Sequence, residues 1–178
     1  VNNINYYINE KLKIGSKSKV NEKIKPGDAA TLKREVLKKI INKETDFNDI
    51  DISNIKDLSH LFEDQDITEI DISEWNVSNV ESMNSMFQNC KYLKTVGDLG
   101  KWNVSNVLDM SWMFNGCINL TEIGDLDNWE INDTKMKYAF QDCKKLKSIG
   151  FIEHWRPRED NWEIFPLSGI RIQPRQRV

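Results

Sequence analysis

A short α/β solenoid is the fold this chain predicts: three to four coils, each a short strand plus a short helix, between an α-helical N-terminal cap and an irregular C-terminal cap. Three observations predict it. Trp75, Trp102, Trp129 and Trp155 recur at intervals of 27, 27 and 26 residues, a period typical of repeat proteins. Within each interval an apolar pattern at helical spacing precedes a brief extended stretch that ends in glycine. Charge also switches along the chain: residues 1–46 hold eleven Lys and Arg against six Asp and Glu, residues 47–150 nine against eighteen, and residues 151–178 five against four. Three regions follow: a basic N-terminal arm and capping helix over 1–46, an acidic repeat solenoid over 47–150, and a C-terminal cap with an Arg-rich tail over 151–178.

The first element is a helix over residues 28–42. After Pro26-Gly27, the residues Ala29, Leu32, Val36 and Ile40, with Leu37 and Ile41, fall at helical spacing and form an apolar face that can cover the first coil. Lys33, Arg34, Lys38 and Lys39 are expected on its outer face. With the lysines at 11, 13, 17, 19, 23 and 25 they make a basic arm able to meet RNA, DNA or an acidic protein, although most such runs are a solvated face.

The repeats come next. W-N-V-S-N-V-E-S-M-N-S-M-F-Q-N-C-K-Y-L from Trp75 is nearly duplicated by W-N-V-S-N-V-L-D-M-S-W-M-F-N-G-C-I-N-L from Trp102. A third copy from Trp129 is one residue shorter, and a degenerate copy over Ile52–Phe62 lacks the Trp and the Cys, as an edge coil should. Met83, Met86, Phe87 and Cys90, like Met110, Met113, Phe114 and Cys117, lie at i, i+3, i+4 and i+7, which predicts a short helix with one buried face. Ser78 or Asn79, and Ser105 or Asn106, are its N-cap candidates, with Glu81 placed as in a capping box. The stretches Leu93 to Leu99 and Leu120 to Leu126, punctuated by Gly97, Gly124 and Gly150, predict the strand. Strands stack at about 4.8 Å and helices at about 8–10 Å, so such coils would curve into an arc, helices outward.

In the tail, Trp155 is expected to stack on the last coil, with Trp162 and Phe165 completing its cover. Ile170 and Ile172 alternate around Arg171 like a terminal strand, and Arg171 and Arg175 offer a second contact point.

Catalytic chemistry finds little support. Cys90, Cys117 and Cys143 share one repeat position, as core residues do and a lone nucleophile need not. Asp71, Asp98 and Asp125 form a ladder that could hold calcium but reads more simply as turn capping. Only His60 and His154 are present, one near each end, and no phosphate-loop, dinucleotide, serine-elbow or zincin motif occurs. Three cysteines, an odd number, speak against a disulfide framework. No apolar run approaches the roughly 20 residues needed to span a bilayer. The chain is therefore expected to be no enzyme and to take no cofactor, metal or small-molecule substrate, and not to insert into a membrane.

The text W-N-V-S-N-V-x-x-M-x-x-M-F-x-x-C-x-x-L over residues ~47–155 resembles the repeat of the BspA-type leucine-rich-repeat group of bacterial surface proteins, found in mycoplasma and Listeria lipoproteins. That resemblance implies a leucine-rich-repeat-like arc serving as a scaffold for protein contacts, often an adhesin. The chain departs from it in lacking a lipobox and in carrying the basic arm. Its opening, I-N-Y-Y-I-N-E-K-L-K-I, is similar to the start of small intracellular proteins of bacteriophages and mobile elements.

The expected function is a non-enzymatic protein–protein interaction module, an intracellular phage-type binder or inhibitor of a host protein or nucleoprotein such as a CRISPR nuclease. The alternatives are a cell-surface adhesin fragment that binds host matrix proteins, and nucleic-acid binding through residues 1–46. A cytoplasmic location goes with the first, a surface location with an adhesin whose signal has been removed. The sharpest site lies on the helix wheel roughly 160–200° from the buried stripe, where Ser85, Trp112 and Tyr138 stand on successive coils. Trp112 and Tyr138 are expected to be exposed neighbours there, a hot-spot pair. Lys33, Arg34, Lys38, Arg171 and Arg175 are the charged contact candidates.

Overall fold

A computed structural model describes residues 23–158 and 161–170. Among the described residues the helices are α1, Ala29–Ile41, and a single turn, α2, Asn161–Ile164. Between them, coils starting at Ile50, Trp75, Trp102 and Trp129 stack on one another, with a partial fifth from Trp155. Isolated parallel bridges mark the register: Asp57, Ser82, Asp109 and Lys135 pair in series along one edge, and Glu69, Thr95 and Glu122 along another.

No helix and no sheet forms in any described coil, which overturns the α/β solenoid of strand-plus-helix coils. The reason lies in where the N–H groups go. In coil two, Met86 N donates to Met83 O at 3.2 Å and Cys90 N to Phe87 O at 3.1 Å, closing four-residue turns in place of a helical i to i−4 ladder. The third residue of each turn, Ser85 (φ 54°) and Asn89 (φ 60°), is left-handed, a conformation no right-handed helix accommodates. Alternate N–H groups point along the stack instead: those of Met83, Ser85, Phe87 and Asn89 donate to the carbonyls of Asp109, Ser111, Met113 and Asn115 at 2.8–2.9 Å. Left-handed residues recur at both positions, as His60, Ser85, Trp112 and Tyr138 at the first and Asp64, Asn89, Gly116 and Asp142 at the second. Two successive four-residue turns bury positions i, i+3, i+4 and i+7 just as a helix would, and Met83, Met86, Phe87 and Cys90 are all buried. The apolar spacing was read correctly and the backbone it implied was not. Without helices on one edge, the physical reason for an arc also lapses, and Ser78 and Asn79 cap nothing: Asn79 Nδ2 donates to Ser53 O at 2.8 Å, bracing the coil before it.

Rings fill the interior in files. Phe62, Phe87, Phe114, Phe140 and Phe165 stack with centroids 4.9, 5.1, 5.6 and 5.4 Å apart, and Trp102, Trp129 and Trp155 at 6.4 and 6.2 Å. All five methionines lie in the same core.

The caps form in part as expected: of the apolar face foreseen on α1, Ala29 and Ile41 are exposed. Asp28 caps α1 by accepting from Thr31 N at 2.7 Å, and Leu32 and Val36 are fully buried. Lys39 departs from its predicted outer face. It is 6% exposed, with Nζ 2.6 Å from Glu44 and 3.0 Å from Asp49 and 5.6 Å from the Phe47 ring, and these two carboxylates raise its pKa against the opposing effect of burial. At the other end, Phe140 N donates to Ile164 O and Asp142 N to Pro166 O, so residues 163–168 form half a coil. Trp155 is buried as expected and Phe165 half-buried. The Trp162 side chain, Arg171 and Ile172 lie outside the described residues. Among the described residues no helix is long and apolar enough to cross a membrane.

Candidate functional site

The predicted aromatic pair does come together. Trp112 and Tyr138 meet edge to face, centroids 4.6 Å apart at 65°, because both occupy the third residue of equivalent turns on adjacent coils. Their expected exposure is not found: both are half-buried, and Ser85 is only 4% exposed with its hydroxyl on Asn84 Oδ1 at 3.0 Å. The helix wheel misplaced them, since a left-handed turn residue projects along the stack toward its neighbour as well as outward. Lys137 Nζ sits 5.2 Å from the Tyr138 centroid and 4.0 Å from Glu163.

The basic residues of α1 are exposed but partly engaged. Lys33 Nζ reaches His60 O at 3.3 Å, Arg34 bonds Thr31 Oγ1 at 3.3 Å, and Lys38 pairs with Glu35 at 2.8 Å. Arg171 and Arg175 lie outside the described residues.

The thiols and both imidazoles are engaged in hydrogen bonds within the stack. Each thiol donates to a carbonyl one coil back: Cys90 to Phe62 O at 2.9 Å, Cys117 to Phe87 O at 3.1 Å and Cys143 to Phe114 O at 3.2 Å. Burial pushes the Cys90 thiol up to about 12 and raises Cys117 and Cys143 as well, which leaves no thiolate to attack or ligate at neutral pH. His60 Nδ1 lies 2.8 Å from Glu63, and His154 Nε2 3.0 Å from Trp129 O. Among the described residues no group of three His, Cys, Asp or Glu side chains is placed to hold a metal ion. Within the aspartate ladder, Asp71 accepts from Ser73 N at 2.9 Å and Asp98 from Gly100 N at 2.9 Å, as turn capping requires. Gly97 (φ 84°) follows from the same packing, since a Cβ there would meet Asp71 Oδ1 at 2.5 Å.

Along the glycine edge runs an open groove of about 580 Å³, bordered by Asp98, Lys101, Glu122, Asp125, Asn128 and Lys147 on coils two to four. Glu69 on coil one, and Glu122 and Asp125 on coil three, have no cation within 4 Å among the described residues, so this edge carries unpaired carboxylates on coils one and three, with Lys101 and Lys147 also bordering the groove. Sequence reasoning missed other surface features: Leu108 (65% exposed), Phe151 (51%) and Tyr92 (56%). Aligning the repeats flags the first two, because Leu108 stands where coil two has Glu81 and Phe151 where earlier coils have Asp98 and Asp125. Asn115 and Ser111, each only 8% exposed, were missed because the helix reading had assigned them no particular face.

A family model described as "Mycoplasma protein of unknown function, DUF285" matches residues 32–155, well over half of the chain. No curated protein and no solved structure matches it.

Proposed function

The chain belongs to the DUF285 family, and we propose that it is a non-enzymatic protein–protein interaction module that offers an acidic edge to a basic surface on its partner, such as a surface that otherwise holds nucleic acid. The carrying observation is the charge of residues 47–150, nine lysines against eighteen acids, laid out by the bridge register. Glu69 and Glu122 stand one bridge on either side of Thr95, and Asp125 borders the groove beside Glu122. Carboxylates at register positions of a stacked backbone form a fixed array. Such an array steers a basic partner by long-range attraction and rejects acidic ones. The buried thiols and locally bonded histidines support the non-enzymatic part of this reading.

The experiment is capture from nuclease-treated bacterial lysate by the intact chain and by a Glu69→Lys/Glu122→Lys/Asp125→Lys variant, followed by association kinetics with the captured protein. Expected is a basic partner whose association rate falls about tenfold or more in the variant and falls again as salt rises. Capture of acidic or neutral partners only, or equal rates for both forms, would sink the proposal.

A further inference from the structure

Away from the acidic edge, the lysines of the stack gather at one corner. Residues 91–94 (K-Y-L-K), 118–121 (I-N-L-T) and 144–147 (K-K-L-K) follow the buried Cys of coils two, three and four, and Leu93, Leu120 and Leu146 anchor them, each fully buried. Five of the nine lysines in residues 47–150 stand in these stretches, which hold no Asp or Glu. Lys91, Lys94, Lys144, Lys145 and Lys147 are all exposed.

Contacts make the corner one surface. Asn119 Nδ2 donates to Lys91 O at 2.7 Å while its Oδ1 accepts from Lys145 Nζ at 2.6 Å, so a single side chain ties coil two to coil four. Thr121 N and Oγ1 both donate to Lys94 O, at 2.9 and 3.1 Å, and Lys147 Nζ reaches Lys144 O at 3.4 Å. Lys144 pairs with Asp142 at 3.4 Å. Lys91, Lys94, Lys145 and Lys147 have no carboxylate within 4 Å among the described residues. Tyr92 stands beside Lys91 with 56% of its surface exposed. Strand-like stacking at about 4.8 Å per coil sets the lysines of coils two and four roughly 10 Å apart.

We propose that this corner binds single-stranded nucleic acid, with Lys91, Lys94, Lys145 and Lys147 on phosphates and Tyr92 stacked on a base. An ammonium on a flexible stem meets a phosphate as a point charge, and an exposed ring among cations is a platform that any base can use. The lysines alone would suit any polyanion. The ring beside them selects an unpaired base, which a duplex keeps inside its own stack. The acids of the groove begin beyond Thr121, at Glu122, and screening over about 8 Å at physiological salt limits how far that edge is felt. The two surfaces have opposite sign, and this site does not rest on the acidic edge.

The test titrates the full chain into fluorescein-labelled oligo(dT) and oligo(U) of about 12 nucleotides and a DNA duplex of the same length, read by fluorescence anisotropy at several salt concentrations with no other protein present. The variants are Lys91→Ser/Lys94→Ser/Lys145→Ser, Tyr92→Ala, Tyr92→Phe and, as basic residues elsewhere, Lys33→Ser/Arg34→Ser/Lys38→Ser, each checked by a circular dichroism melt. Expected is binding of at least one single strand, tighter than the duplex and weaker as salt rises; the tighter strand identifies the polymer as DNA or RNA. Each phosphate contact adds about 0.7 to the slope of log affinity against log salt, so the lysine variant should lose about 2 from that slope. Tyr92→Ala should weaken binding about tenfold with the slope unchanged, while Tyr92→Phe and the α1 variant should bind like the parent. Absence of binding to both single strands, a duplex bound as tightly, an unchanged slope in the folded lysine variant, no loss in Tyr92→Ala, or a loss confined to the α1 variant would each overturn the proposal.

Discussion

Replacing Gly116 by alanine distinguishes the turn-built coil from the helical one by sign. In a helix interior, Gly→Ala stabilises by about 0.8–1 kcal/mol. In this structure Gly116 has φ 73°, and an added Cβ would lie 2.8 Å from Asn89 Oδ1. The left-handed conformation costs an alanine about 1–2 kcal/mol. The Asn89 amide can swing aside, so the close contact adds little. A stiffer unfolded chain returns about 0.4–1 kcal/mol, leaving a net loss on the order of 1 kcal/mol. For a chain of this size that lowers Tm by about 2–4 °C, where a helix would have gained a similar amount. Gly116→Asn, which installs the residue coil two already carries at Asn89, should lose less than Gly116→Ala. Circular dichroism melts of the three proteins at one pH decide it. A higher Tm for Gly116→Ala, or an asparagine no better tolerated than alanine, would refute the left-handed turn and restore the helix.

The thiols tie stability to alkaline pH. Cys90 is raised from an ordinary value of 9.0 to about 12, so between those values the folded state keeps a proton that the unfolded chain releases. Its contribution is full below pH 9 and declines by about 1.4 kcal/mol per pH unit from 9 toward 12; urea melts should show a decline that Cys90→Ala reduces, and equal slopes in the two proteins would contradict it. Phe114→Ala removes the middle ring of the phenylalanine file and should cost about 3–5 kcal/mol, with the half-buried Phe165→Ala costing clearly less; comparable losses measured by denaturant titration would argue against an ordered file. Residues 47–150 produced alone should lack a cooperative melt, because α1 and residues 163–168 cover the two ends of the stack with Leu32, Val36 and Ile164, all fully buried; a melt near that of the intact chain would show the caps to be dispensable.

The period of the stack, its edge coil and nearly all of its core were legible in the sequence because burial depends on spacing, and spacing is written in the repeats. The backbone between the buried positions was not, because two four-residue turns and two helical turns bury the same i, i+3, i+4 and i+7 set. A signal for the difference was present. The second left-handed position reads Asp64, Asn89, Gly116, Asp142 down the coils, and these are the residues that accept positive φ. At the first position Trp112 and Tyr138 hide the same signal, which is why their exposure was misjudged. Lys39 was misplaced for a different reason: its burial depends on Glu44 and Asp49, which lie past the end of α1 and outside any helical wheel.

The repeated Trp and Cys follow from the turn-built backbone rather than from any chemistry of their own. A coil without helices leaves carbonyls facing the interior, each with a second lone pair beyond the one that accepts its own turn's N–H. Trp75, Trp102 and Trp129 donate Nε1 to Phe47 O, Ile72 O and Leu99 O at 2.8, 3.3 and 2.9 Å, and the three thiols serve the carbonyls of the phenylalanine file in the same backward direction. Every such bond runs from one coil to structure laid down before it. The first coil has no full coil beneath it, so it has no file of carbonyls to serve, and Ile50 and Gln65 stand where later coils carry Trp and Cys. The degenerate first repeat is thus the form a starting coil takes when backward donors have nothing to reach. The partial fifth coil shows the converse limit: Trp155 keeps the ring stack on Trp129 at 6.2 Å, yet its Nε1 finds no acceptor among the described residues. Stacking alone retains the indole there, so Trp155→Phe should be tolerated at the end of the stack, whereas Trp129→Phe removes the second of two hydrogen bonds accepted by Leu99 O, which keeps the one from Trp102 N at 3.0 Å, and should cost about 0.5–1.5 kcal/mol more. Equal losses in denaturant titrations of the two variants would show that the backward hydrogen bond is not what the interior tryptophans supply.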